Sequence, residues 1–255
     1  MIIKQFHQFV FLTKGANNTC VADLLKGTMY QVENRFIDAF ERRDYESIAE
    51  FVSALEEEGL IIDIEESRWI PRPDFHTLDT DDDYPYRIDF EDGVDIELLR
   101  RKLKGLSVSA VHYYGAGDPP VIVDDVTTQK MEKNIEHCRE LTTVNGQFSK
   151  TSRHFIRYNH RYNSCWGKRL AITGDNLVHP CIFSEIVLGN IVEENVFDII
   201  RKADAYWKIT KDKIDKCKVC EFRYSCPDCR VLAMRNGGGT TSPNPFCSYD
   251  PEAGS

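Results

Sequence analysis

The chain lacks the features that would place it in several large classes. No apolar run approaches the roughly twenty residues that a bilayer-spanning helix needs. The opening residues, MIIKQFHQFVFLTKG, have no basic start, long apolar stretch or small-residue cleavage site, so no secretory signal is expected and the chain reads as cytoplasmic. Positive charge is in deficit: 32 Lys and Arg face 41 Asp and Glu, and the formal net charge of -9 argues against a nucleic-acid groove. The seven histidines, at 7, 76, 112, 137, 154, 160 and 179, form no ligand-spaced pair with carboxylates. Gly115-Ala116-Gly117 is no phosphate cradle, because Pro119-Pro120 follows where a helix would have to open.

Cysteine is the residue in excess, with nine in 255 residues. Four fall in the run Cys217-Lys-Val-Cys220-Glu-Phe-Arg-Tyr-Ser-Cys226-Pro-Asp-Cys229, a C-x2-C-x5-C-x2-C pattern. A C-x2-C turn sets two thiolates on one side of a tight loop. Zinc ribbons separate their two turns by roughly 15 to 20 residues, so that two arms can face each other. The short linker here predicts that the four thiolates are divided between two sites, which draw further ligands from Cys165 and Cys181 upstream and Cys247 downstream. In a cytosolic chain, metal binding is expected over disulfides. Cys20 and Cys138 stand apart and read as buried apolar residues.

Taken in order, the chain predicts an α+β protein in three parts. Residues 1–72 hold three short strands (Gln8–Thr13, Thr19–Leu25, Gly27–Val32) and then two amphipathic helices, a winged-helix-like module. The first helix is expected over Glu33–Arg43. The second is capped by Asp44, striped with Ile48, Phe51, Val52, Leu55 and Leu60, and stopped near Gly59. Residues 73–84 read as a linker. Residues 73–164 then hold a short βα region with a parallel sheet: strand Tyr86–Phe90, helix Val94–Leu103, strand Val108–Tyr114, helix Thr127–Leu141. A full eight-unit barrel needs roughly 250 residues, so this is a barrel remnant or a small layered domain. Residues 165–255 are the cysteine-rich part. A hairpin over Leu170–Cys181 turns at Gly174-Asp175-Asn176, a helix over Val196–Tyr206 offers Phe197, Ile199 and Ile200 to the core, and an extended tail carries Cys247 back. Arg153, His154, Arg157, His160 and Arg161 form a basic patch, either a solvated surface or a dock for an acidic peptide.

Cys165, Gly174, Cys181, the C-x2-C-x5-C-x2-C run and a last cysteine together resemble the SPASM domain of radical-SAM peptide maturases. Trp207–Ile214, Cys220–Cys226, Asp228-Cys229-Arg230 and Cys247–Pro251 resemble more narrowly the SPASM maturases of grasp-with-SPASM systems. The order of elements over residues 1–72, closing on Ser53–Ile61, resembles the leader-recognition domain of ribosomal peptide maturases. The resemblance implies two auxiliary 4Fe-4S clusters. Cys217, Cys220, Cys226 and Cys247 would hold one, and Cys165, Cys181 and Cys229 the other. The fourth ligand of the second is an open iron site, Cys138, His179 or another residue. Arg223 and Arg230 would donate hydrogen bonds to cluster sulfurs. A precursor leader peptide would add a strand beside Gly27–Val32, touching Tyr30 and Val32.

The C-x3-C-x2-C triplet that leaves one iron free to chelate SAM is missing, so no SAM cleavage is expected. The reading is therefore a peptide-maturation protein that binds a precursor leader and works beside a modifying enzyme such as an ATP-grasp ligase. No nucleic acid or membrane is involved. The alternatives are an Fe–S enzyme acting on the peptide through an open iron, and a zinc-binding adaptor.

Overall fold

Short runs rich in β-branched and aromatic residues fill the first third of the chain. In the computed structural model, which describes residues 1–70, 85–142 and 152–254, they become β1 (Ile2–Phe6), β2 (Val10–Lys14), β3 (Asn18–Asp23) and β4 (Thr28–Glu33). Strands β2, β3 and β4 form an antiparallel sheet in that order. Two helices follow, α1 (Asn34–Glu41) and α2 (Ala49–Glu57), and then β5 (Ile61–Glu65). The sequence pattern missed β1 and β5, which pair antiparallel with Phe6 opposite Ile61. Their contact spans about sixty residues of chain, beyond any local signal.

Asp44 does not cap α2. The backbone at Arg43 is left-handed, φ 65°, and the Asp44 N–H closes onto the Ala39 carbonyl at 3.0 Å. That is the hydrogen-bond pattern of a helix stop, so Asp44 ends α1 and α2 starts later, after Ile48. Gly59 closes α2 by the same device, with φ 66° and Leu60 N–H on the Leu55 carbonyl at 2.8 Å. Phe6, Val10, Val21, Ile37, Phe40, Val52 and Leu55 make the core of this module.

The rest of the described chain shares one six-stranded sheet, ordered β11-β10-β9-β6-β7-β8. Its strands are β6 (Tyr86–Glu91), β7 (Val108–Tyr114), β8 (Thr128–Lys130), β9 (Arg169–Ile172), β10 (Leu177–His179) and β11 (Gly189–Asn190). The pairings β6–β7, β7–β8 and β6–β9 are parallel, and β9, β10 and β11 continue antiparallel. The hairpin expected over Leu170–Cys181 is thus built into the βα sheet, across position 164. The linker expected over 73–84 lies outside the described residues.

The helices here are α3 (Ile96–Leu103), α4 (Ile135–Thr142), α5 (Arg153–Arg161), α6 (Val196–Trp207) and α7 (Arg230–Arg235). The single helix expected over 127–141 is corrected to β8 followed by α4. The exposed edge of β7 captures residues 128–130, and Met131 N–H bonds the Tyr113 carbonyl at 2.8 Å. In α6 the buried stripe is Val196, Ile199, Ala203 and Trp207, which leaves Phe197 half exposed at 50% rather than in the core. Alternation along the sheet sends Ile88, Phe90, Val111, Leu170, Ile172 and Val178 into the core with Leu99 and Trp207. Arg87, Asp89, His112 and Arg169 share the opposite, polar face.

Candidate functional site

The cysteine run folds as a string of tight turns. Lys216 takes a left-handed backbone, φ 68°, and a 3-10 turn over Cys217–Val219 brings Cys220 N–H onto the Cys217 carbonyl at 2.9 Å. Ser225 N–H closes on Phe222 O at 2.9 Å. These turns direct Cys217, Cys220 and Cys226 into one cleft. The helix-free tail, held by Cys247 N–H on Asn244 O at 3.1 Å, brings Cys247 to its wall. The four thiols assigned together by resemblance line a single cavity.

Pro227 and Asp228 then swing Cys229 the other way. Cys229 lines a second cavity with Cys138 and Cys165, against Arg87, His112 and Arg169 of the polar sheet face. The sulfurs are coupled in series: Cys138 hydrogen-bonds Cys229, Cys229 bonds Cys165, and Cys165 bonds Cys181. Cys138, read as a buried apolar residue by its isolation and as one candidate for the fourth ligand by resemblance, lies beside these thiols. His179, another candidate for the fourth place, has its ring taken up by the Ile186 carbonyl at 2.8 Å and Thr173 Oγ1 at 3.4 Å.

One buried amide organises both loops. Asn163 Oδ1 accepts from the Cys165 and Trp166 N–H groups at 3.0 Å each, and its Nδ2 donates to Asp228 Oδ2 at 2.8 Å. Each thiol set also has one buried cation against it. Lys211 Nζ lies 3.5 Å from Cys226 Sγ and 3.1 Å from Pro227 O. Arg169 Nη1 lies 3.5 Å from Cys165 Sγ, with its other nitrogens on fully buried Asp89. Burial works against charge on Lys211, but the neighbouring Cys226 and Asp228 outweigh it and raise its pKa.

Three of the thiols are shifted toward the neutral form. Burial pushes Cys217 up to about 11 and Cys220 up to about 12. The hydrogen bond to Cys138 takes Cys229 to about 12. A metal bound here would have to displace protons from these thiols, and the adjacent ammonium or guanidinium would offset the negative charge that results. Among the described residues, no three His, Cys, Asp or Glu side chains are drawn close enough to hold a single ion. All-sulfur donor sets of this kind are the soft ligands that zinc and iron–sulfur clusters take.

Arg223 and Arg230 spend their mapped hydrogen bonds elsewhere. Arg230 is fully buried, paired with Asp228 and bonded to the Thr240 and Ser242 carbonyls. Arg223 bonds Asp212, the Cys220 carbonyl and the Lys14 carbonyl, the last at 2.8 Å. Sequence reasoning overlooked Lys211 and Arg169 as the sulfur-facing cations. Lys211 lay within the motif Trp207–Ile214, while nothing local marks Arg169. In the basic patch, His160 is buried and stacks on Tyr224 with ring centroids 3.5 Å apart.

Strand β4 is an edge of its sheet. Tyr30 and Val32 share the face turned to the helices, opposite Val21 and Thr19, and Tyr30 donates to Glu58 at 2.8 Å. Val32, Phe36 and Phe51 line a groove along this edge. Gln31 points to the other face, where its Nε2 donates to Glu221 Oε1 and Tyr249 OH, each at 2.8 Å. Compared with known proteins, the chain matches no protein-family model and no curated protein.

Proposed function

We propose that this protein is a maturation factor for a ribosomally synthesised peptide. It captures the leader segment of the precursor on a winged-helix-like module and carries two 4Fe-4S clusters in a SPASM-like region. Cys217, Cys220, Cys226 and Cys247 hold one cluster. Cys165, Cys181 and Cys229 hold the other, with Cys138 as the fourth thiolate. When bound, such clusters brace the fold and relay electrons. The chain itself cleaves no SAM, and bond formation on the peptide belongs to a partner such as an ATP-grasp ligase.

The observation that carries this reading is the convergence of four thiols from two separated stretches, Cys217–Cys226 and Cys247, on one cleft. The open β4 edge supports the second half of the reading, since an extended peptide can pair with its backbone and rest apolar side chains in the groove at Val32, Phe36 and Phe51. Cys138 in the second set favours closed coordination over an open, Lewis-acidic iron.

Anaerobic purification followed by iron, sulfide and zinc analysis tests the centres. The expected result is roughly eight irons and eight sulfides per chain. Stoichiometric zinc without sulfide would replace this reading with the zinc adaptor. Titrating the full chain with candidate precursor peptides tests the leader site.

A further inference from the structure

The peptide-binding edge and the first thiol centre are in direct contact. Glu221 follows Cys220 in the chain, and Tyr249 lies two residues beyond Cys247. Tyr249 OH donates to Glu221 Oε1, and Gln31 of β4 donates to both residues. Glu221 has no exposed surface, and its Oε2 has no hydrogen-bond partner among the described residues. A buried carboxylate held on one oxygen is sensitive to any shift of the loop that carries it.

Other contacts reinforce the junction. The β2–β3 turn reaches the same loop, with Ala16 N–H on the Val219 carbonyl at 2.8 Å and Arg223 on the Lys14 carbonyl at 2.8 Å. Gly15 comes so close that an added Cβ would stand 2.7 Å from Glu221 N. Cys20 and Ala22 of β3 pack with Phe222, Tyr224 and Tyr249 into a small core of their own. The turns that aim three thiols at the cleft are therefore the floor on which the β2–β3–β4 sheet rests.

We infer that the centre at Cys217, Cys220, Cys226 and Cys247 is a clasp for the peptide-binding strand: when its ligands are gathered, Glu221 and Tyr249 are set to hold Gln31, and β4 is presented as a rigid edge. When the ligands are released, the loop and tail part, the Gln31 bonds are lost and β4 frays. Because coupling is reciprocal, a peptide paired with β4 slows metal loss from this centre. The second centre stands on the polar face of the other sheet, away from β4, and does not take part. The inference rests on the proposed metal centres and deepens the proposed peptide site.

The test compares full-length protein as purified with Cys247→Ser, which opens the first centre, and with Cys181→Ser, which opens the second. Amide hydrogen exchange is read over residues 28–33. The clasp predicts exchange there about tenfold faster in Cys247→Ser and unchanged in Cys181→Ser. Equal protection in all three proteins, or equal loss in both variants, overturns it. Should Cys247→Ser fail to fold, Gln31→Ala leaves every thiol in place. Iron release to a chelator should then be about tenfold faster for half of the metal, and unchanged release overturns the clasp. Protein that binds no metal removes both this inference and the reading beneath it. Normal metal content and gated exchange without peptide binding would retire the leader site alone.

Discussion

Asp89 has no exposed surface and lies between two guanidiniums, Arg169 and Arg87. Burial alone would raise its pKa, but Arg169 and then Arg87 outweigh burial and hold it below the ordinary 3.8. A carboxyl whose pKa is lowered by folding contributes its full stabilisation above 3.8 and loses it as pH falls through the folded value. Stability should therefore drop below about pH 4, and Asp89→Asn should flatten that part of the profile. The same substitution strands Arg169 without its counter-ion, at a cost of about 3–5 kcal/mol in urea unfolding. Lys211 is the corresponding cation at the first centre. Lys211→Met keeps the bulk but removes the charge and the N–H donor facing Cys226, so iron retention there should fall by about 10- to 100-fold, read as competition with a chelator. Retention of the other centre, read by its residual visible absorbance, separates this from unfolding.

At the level of elements, β4 and the two helices behind it make a groove whose walls are side chains and whose rim is, among the described residues, the edge strand of the sheet. Val32 is half buried, so Val32→Asp places a charge on the groove floor at modest cost to the module's own core. Affinity for the precursor peptide should fall at least about tenfold with little change in melting temperature, measured by fluorescence anisotropy and a thermal melt. Much of this module was legible in the sequence. Strands β2, β3 and β4 are set off by turn residues at Gly15–Asn17 and Lys26-Gly27, Gly59 marks a stop, and Tyr30 and Val32 fall on one face by simple period. What stayed hidden depended on contacts far along the chain. Ile61–Glu65, beyond the Gly59 stop, offers no strand signal of its own until Ile2–Phe6 is laid beside it. Residues 128–130 read as the start of a helix until the edge of β7 offers them hydrogen bonds. Asp44 is a fair cap by type, but Arg43 in the left-handed region had already committed its N–H to the preceding helix.

Across the whole molecule, the short linker in the cysteine run predicts thiols divided between two sites, but the particular division was legible only through the resemblance: Cys226 and Cys229, with two residues between them, line different cavities. The gathering of the second set could not be read locally, because Cys138 has no cysteine near it in sequence and enters only when α4 packs over the polar face of the sheet. Its thiol is hydrogen-bonded to Cys229, and that bond lowers the Cys138 pKa more than burial raises it, so it is the readiest of the four to ionise. As the fourth ligand of the proposed centre it would close the coordination shell. Cys138→Ser should then reduce iron from roughly eight to roughly four per chain if a cubane needs all four thiolates, or leave a three-iron cluster with its own electron paramagnetic resonance signature if three suffice. Cys20→Ser, buried beneath the other centre but in neither set, should leave the iron count untouched and serves as the control for a generally loosened fold. Full iron in Cys138→Ser would return the fourth position to an open site and, with it, the prospect that this centre binds the peptide directly.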